Sequence, residues 1–136
     1  MLIIIKILSS ACAFLFFGYV YAQNFSGQEL HDLAKKDIAR YVKVLASGMQ
    51  QQLPVETGAG KIIAVVPAGK ALGILTEINS NIRPRTKTEQ INYVCSASFL
   101  RAIINNGGGY SVQYVKPNRE LVSYIEVSPG DCSKEK

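Results

Sequence analysis

The sequence of 136 residues has little of what catalysis and metal binding usually require: it contains one histidine, three cysteines and no tryptophan. A Ser-His-Asp triad needs a histidine, and the single one, His31, stands beside Asp32 near the start of a predicted helix, where a solvated side chain is expected. Neither a G-x-S-x-G nor a C-x-x-C motif occurs, and the ten acidic residues are scattered. We therefore expect no enzymatic activity, no metal and no cofactor.

Dense clusters of basic residues are also missing. The 15 Lys and Arg against 10 Asp and Glu give a formal net charge of +5, and the positive residues are spread along the chain. Without a basic block, the sequence predicts no nucleic-acid partner. The mild positive excess suits an acidic partner or an anionic membrane surface.

Residues 1–22 are typical of an export signal. Lys6 precedes an apolar run, and Val20-Tyr21-Ala22 places acceptable residues at the positions that signal peptidase reads. We expect cleavage after Ala22 and a periplasmic protein. Two alternatives stay open: the run could remain as an uncleaved anchor, or Cys12 could be lipidated, although Ser9 stands where a lipobox has leucine. Contact with the membrane is expected only in these two cases.

Two cysteines remain after removal of the signal, Cys95 and Cys132. An even pair in a small exported domain predicts a disulfide, because the periplasm is oxidising. Closing a loop of this size would stabilise the fold by up to ~4 kcal/mol in the chain-entropy model. The alternative, a metal site, lacks further ligands.

The first half of the domain is predicted to be a helix followed by a hairpin. Ser26 and Glu29 form a capping-box pattern, and apolar residues then recur at steps of three and four as far as Met49. Pro54 ends this helix, and residues 55–60 are predicted to be a loop. Residues 61–66 and 72–78 are predicted strands, joined by a turn at Gly69.

The second half repeats this order after a polar connector, residues 79–87. Thr86-x-x-Glu89 predicts the start of a second helix, and Asn105-Asn106-Gly107 predicts its end. Alternating residues then predict a hairpin, with strands at 110–115 and 121–127. The order α-β-β-α-β-β indicates an α+β fold in which two helices pack on an antiparallel sheet of about four strands. We expect a single domain over residues 23–132 and a disordered tail at 133–136.

Tyrosine and arginine supply the candidates for partner binding, since both are favoured at recognition surfaces. The candidates in the final hairpin are Tyr110, Tyr114 and Tyr124, and those in the connector are Arg83 and Arg85. Tyr124 is expected on the sheet face that the helices leave open. The alternative is that the tyrosines are half-buried in an ordinary sheet and the arginines merely solvated.

The layout resembles the β-class type II secretion pilotins. The matching features are a first helix ending in Gln52-Leu53-Pro54, a strand pair, a helix bearing Cys95, a glycine turn, a hairpin and Cys132. The resemblance implies a disulfide between the two cysteines. It also implies a small exported protein, usually lipidated, that binds a helical peptide of its secretin and helps the secretin reach the outer membrane.

These observations predict a non-enzymatic periplasmic binding protein, a pilotin-like accessory of a secretion system, whose partner is a protein or peptide. The binding surface is either the sheet or a groove between helix and sheet. The alternative is a periplasmic immunity or inhibitor protein that blocks a toxin or hydrolase. A small hydrolase or redox enzyme is the third hypothesis.

Overall fold

The computed structural model describes residues 27–132, which form four helices and five strands. The helices are α1 (Gly27–Lys36), α2 (Ile38–Gln50), α3 (Lys87–Ser96) and α4 (Ser98–Asn105), and the strands are β1 (Val55–Thr57), β2 (Gly60–Ala68), β3 (Ala71–Glu77), β4 (Gly109–Val115) and β5 (Leu121–Val127). The predicted signal at 1–22, the Ser26 cap and the tail at 133–136 lie outside the described residues. In the described part, no helix is both long and apolar enough to cross a membrane.

Each of the two predicted helices is divided in two. The first is interrupted at Asp37, whose carboxylate accepts a hydrogen bond from the Arg40 backbone N–H at 3.2 Å and so caps α2. Aspartate commonly favours caps over helix interiors because its side chain competes for backbone donors. The second is interrupted at Ala97, which has extended backbone angles and is almost fully buried. The break lets α3 lie near β5 and α4 near β4.

The start of α3 confirms the predicted capping box. Thr86 Oγ1 accepts a hydrogen bond from the Glu89 N–H at 3.2 Å, and Glu89 Oε1 accepts one from the Thr86 N–H at 2.9 Å. Two of the backbone donors that a helix N-terminus leaves unpaired are thereby satisfied. The connector consequently enters the helix in a defined direction.

The α+β class is confirmed, but the sheet has five strands in the order β1-β2-β3-β4-β5 and is mixed. The expectation of about four antiparallel strands is wrong at two places. Residues 55–57 pair with β2, in a segment too short to show strand periodicity. Strands β3 and β4 are parallel, because the chain crosses from one to the other through α3 and α4 and returns to the same end of the sheet.

One face of the sheet is covered by the helices and the other is open. The core joins inward side chains of the strands, such as Leu72 and Val112, to helix residues such as Leu45 and Leu100. Apolar side chains that remain exposed are Val66, Leu121, Val122 and Tyr124. The open position predicted for Tyr124 is confirmed.

The predicted disulfide is present. Cys95, near the end of α3, is bonded to Cys132, which follows β5, with a Cα–Cα distance of 5.4 Å. Both residues are buried in the core. The disulfide therefore links the segment that follows β5 to α3.

Candidate functional site

Beneath the connector lie two adjoining pockets, which we call together the connector cleft. The outer pocket has a volume of about 560 Å³ and is lined by the connector, the β1–β2 turn and the first turn of α3. The inner cavity, of about 20 Å³, lies between α3 and the helix-covered face of the sheet. Ala59 and Arg85 line both, so the outer pocket and the inner cavity are adjacent.

The inner cavity is polar although it borders the core. Its polar lining residues are Thr57, Thr76, Arg85, Gln90, Tyr93, Tyr110 and Tyr114. The parallel pairing of β3 and β4 sets Thr76 opposite Tyr114, and strand alternation turns Tyr110 to the same side. Polar residues from the sheet thus meet polar residues of α3.

Gln90 has an unusual environment. Its side chain is 1% exposed, and its Oε1 accepts a hydrogen bond of 3.0 Å from the Tyr114 hydroxyl. Its Nε2 has no hydrogen-bond partner among the described residues. A buried donor left unpaired costs about 1–3 kcal/mol, so a group that supplied an acceptor here would recover that free energy.

Arginine provides the charge of the connector cleft. Arg83 donates two hydrogen bonds to the Glu89 carboxylate, at 2.9 and 2.8 Å. These bonds, together with one from the Thr86 backbone, lower the pKa of Glu89 to about 2. The Arg85 guanidinium instead lies over the ring of Tyr93, 4.3 Å from its centroid. Within residues 27–132, no carboxylate forms an ion pair with Arg85.

Two of the three tyrosines that line the inner cavity, Tyr110 and Tyr114, are neutral. Burial raises the pKa of Tyr110 well above its usual value. Burial also raises the pKa of Tyr114, while the charge of Arg85 and hydrogen bonds from its backbone and side chain oppose the rise. Neutral phenols donate and accept hydrogen bonds, but they do not serve as general bases near pH 7. The arrangement therefore suits recognition of a bound group.

The structure brings together four of the five residues predicted for partner binding. Tyr110, Tyr114 and Arg85 line the inner cavity, and Arg83 lines the outer pocket. Both of these tyrosines are buried. Tyr124 lies on the opposite, open face, where its hydroxyl donates to Glu126 Oε2 at 2.6 Å.

Sequence reasoning missed Gln90 as a site residue. It stands four residues before Val94, and so on the same face of α3 as the apolar stripe. A polar residue at a core-facing position is the signal that could have found it, because buried polar side chains need partners. Tyr93, three residues further along, was also missed.

A metal centre is not apparent in the described part of the chain, where no three His, Cys, Asp or Glu residues are grouped as ligands. His31 is exposed on α1, as expected from the sequence. The polar groups that converge in the inner cavity are amide, phenol, hydroxyl and guanidinium. Such groups orient a polar ligand through hydrogen bonds and charge.

Comparison with known proteins gives matches among solved structures alone: no protein-family model matches the sequence, and no curated protein matches it at a significant level. The type II secretion system pilotin AspS from Vibrio cholerae aligns with a TM-score of 0.60 at 19% identity, over 74% of this chain and 97% of that one. The pilotin EpsS from the Vibrio vulnificus type 2 secretion system aligns with a TM-score of 0.54 at 17% identity, over 78% and 97%. A secreted protein of Pseudomonas aeruginosa has a TM-score of 0.60 at 11% identity, over 74% and 96%. The chain therefore shares their fold.

Proposed function

We propose that this protein is a non-enzymatic, pilotin-like accessory of a secretion system, which acts in the periplasm by binding a peptide segment of a partner protein. The observation that carries the proposal is the fold, which two type II secretion pilotins share over 97% of their chains. The sequence resemblance to the β-class of pilotins points to the same role. The secretin of the same organism is the partner that this resemblance implies.

The connector cleft is the binding surface that we favour. Its outer pocket is open and of a size that accommodates a few peptide side chains. Arginine side chains line the outer pocket and tyrosine side chains line the inner cavity, and these residue types dominate binding energy at many protein interfaces. Tyr110, Tyr114 and Arg85 converge there from separate parts of the chain.

The open sheet face is the other surface to test. Strand β5 is at the edge of the sheet, and the exposed Val122 and Tyr124 belong to it. Its edge is partly covered, because Lys87 Nζ donates to the Glu126 backbone carbonyl at 2.6 Å. A covered edge offers fewer free backbone groups to an added strand, which is why we favour the cleft.

A binding experiment tests the proposal. The mature, oxidised protein is titrated with overlapping synthetic peptides that together cover the secretin of the same organism. We expect one region of the secretin to bind saturably. Arg85→Ala should weaken that binding, whereas Tyr124→Ala, on the opposite face, is the matched control and should not.

Two results would overturn parts of this proposal. If Tyr124→Ala weakens binding and Arg85→Ala does not, the open sheet face is the site. If no secretin peptide binds and a periplasmic pulldown instead retrieves a toxin or hydrolase, the inhibitor alternative replaces the accessory role.

Export is part of the proposal and has its own measurement. An intact mass that begins at Gln23 would establish cleavage after Ala22. A lipid adduct on Cys12 would show instead that the protein is held at a membrane.

A further inference from the structure

We propose that the inner cavity recognises a carboxylate of the partner, which accepts a hydrogen bond from Gln90 Nε2 and pairs with the Arg85 guanidinium. This inference rests on the proposed function for the identity of the partner. The existence of the site depends only on the residues of the cavity.

The first step is the orientation of the Gln90 amide. The Tyr114 hydroxyl donates its proton to Gln90 at 3.0 Å, and the Gln90 side chain accepts it with Oε1. The Nε2 group, which has two protons to donate, has no partner among the described residues, and Gln90 lines the cavity.

The second step is charge. Glu89 is engaged by Arg83, so it does not neutralise Arg85. A cavity that combines an unpaired amide donor with an uncompensated guanidinium selects a negatively charged acceptor. Arginine pairs well with carboxylates because its planar donors match their two oxygens, and charge-assisted hydrogen bonds are roughly twice as strong as neutral ones. A cation would be repelled by Arg85.

The third step is size. A cavity of about 20 Å³ accommodates one water-sized group, and one carboxylate oxygen is of that size. The remainder of the ligand residue and its neighbours would occupy the outer pocket of about 560 Å³. The neutral phenols of Tyr110 and Tyr114 add no negative charge to oppose the ligand.

A carboxylate can come from two sources, an acidic side chain or the C-terminus of a chain. Three small probes distinguish them: N-acetyl-glutamate α-amide carries only a side-chain carboxylate, N-acetyl-glutamine only a terminal one, and N-acetyl-glutamine α-amide carries none. Each is titrated into ¹⁵N-labelled mature protein while the side-chain amide resonances of Gln90 are followed by NMR.

We expect the Gln90 resonances to shift saturably with at least one charged probe and not with the neutral one. The charged probe that binds more tightly identifies the source. Gln90→Met, which keeps the length of the side chain and removes its donor, should weaken binding of that probe about tenfold, followed through the backbone amide of residue 90. Arg85→Gln should weaken it similarly, whereas Arg85→Lys, which keeps the charge, should retain part of the affinity.

Arg40→Gln is the matched control, because Arg40 is exposed on α2 and lines neither pocket of the connector cleft. It should leave binding of the small probes within about twofold of the wild type, an amount that corresponds to a few tenths of a kcal/mol. The inference is overturned if neither charged probe shifts the Gln90 resonances more than the neutral probe does. The cavity would then be the site of a buried water only.

The two proposals can fail separately. Binding of a charged probe without binding of any secretin peptide would retain the carboxylate site and reject the secretin as partner. Binding of a secretin peptide that is insensitive to Gln90→Met would retain the function and reject the carboxylate site.

Discussion

Breaking the Cys95–Cys132 disulfide should cost this small domain a large part of its stability. The two cysteines are separated by 37 positions in the sequence. For a loop of this length, the chain-entropy model assigns about 4 kcal/mol to the crosslink, because the bond restricts the unfolded chain. The free energy of unfolding of a typical domain is only about 5–15 kcal/mol.

The expected change in melting temperature follows from the unfolding entropy. At about 2.1 cal/mol/K per residue, a domain of roughly 110 residues has an unfolding entropy near 0.23 kcal/mol/K. A loss of about 4 kcal/mol then lowers the melting temperature by roughly 17 °C. The melting temperature of the double variant Cys95→Ala with Cys132→Ala should fall somewhat further. Both sulfur atoms are buried, and their removal leaves space in the core.

The assay is thermal and urea unfolding followed by far-UV circular dichroism. Wild-type protein is compared in oxidised form and after reduction, and the double alanine variant is measured beside them. Reduction removes the crosslink and retains the sulfur atoms, so it isolates the effect of loop closure from that of packing. If the reduced protein loses less than about 1 kcal/mol, loop closure in the unfolded state is not what the disulfide contributes.

Three further predictions concern single contacts. Gly108→Ala should destabilise the fold by about 1–3 kcal/mol in urea unfolding, because its Cβ would overlap a backbone carbonyl oxygen of the β2–β3 turn; Gly73→Ala, where the nearest atoms are 3.6 Å away, is the tolerated control. Tyr41→Phe should cost about 1 kcal/mol by the same method, because the hydroxyl donates to a backbone carbonyl at 2.8 Å; an unchanged midpoint would contradict this. The Glu89 carboxylate should titrate by NMR with a pKa of about 2, so its ion pair is complete above pH 4.5 and its stabilising effect is lost as the pH falls toward 2. Arg83→Gln should raise the pKa of Glu89. An unaltered pKa would show that the hydrogen bond from the Thr86 backbone alone lowers it.

Local structure was predicted well from the sequence. The capping box at Thr86 and Glu89, the turn at Gly69 and the final hairpin depend on residues close together in the chain. The two helix interruptions were not predicted. At Asp37 the side chain supplies a competing cap, whereas Ala97 is a residue that favours helices, and nothing in its side chain indicates the extended backbone angles it adopts.

The candidate site was predicted in part. Tyrosine and arginine were selected by residue type, which says how they can bind but not which side of the sheet they occupy. The register of β4 and β5 pairs Tyr124 with Gln113, so strand alternation places it on the face opposite Tyr114. Only the position of the helices decides which of the two tyrosines is buried. Gln90 was overlooked because it appears as an ordinary polar residue until its surroundings are known.

The sequence by itself determined the α+β class, the order of the main elements and the cysteine pairing, because periodicity, capping and the count of cysteines are local or compositional properties. The tertiary structure alone decided that β3 and β4 are parallel and that Arg85, Gln90 and Tyr114 meet in one cavity. Both depend on contacts between residues far apart in the chain. Such contacts are set by the path of the crossover helices over the sheet, and no short stretch of sequence records that path.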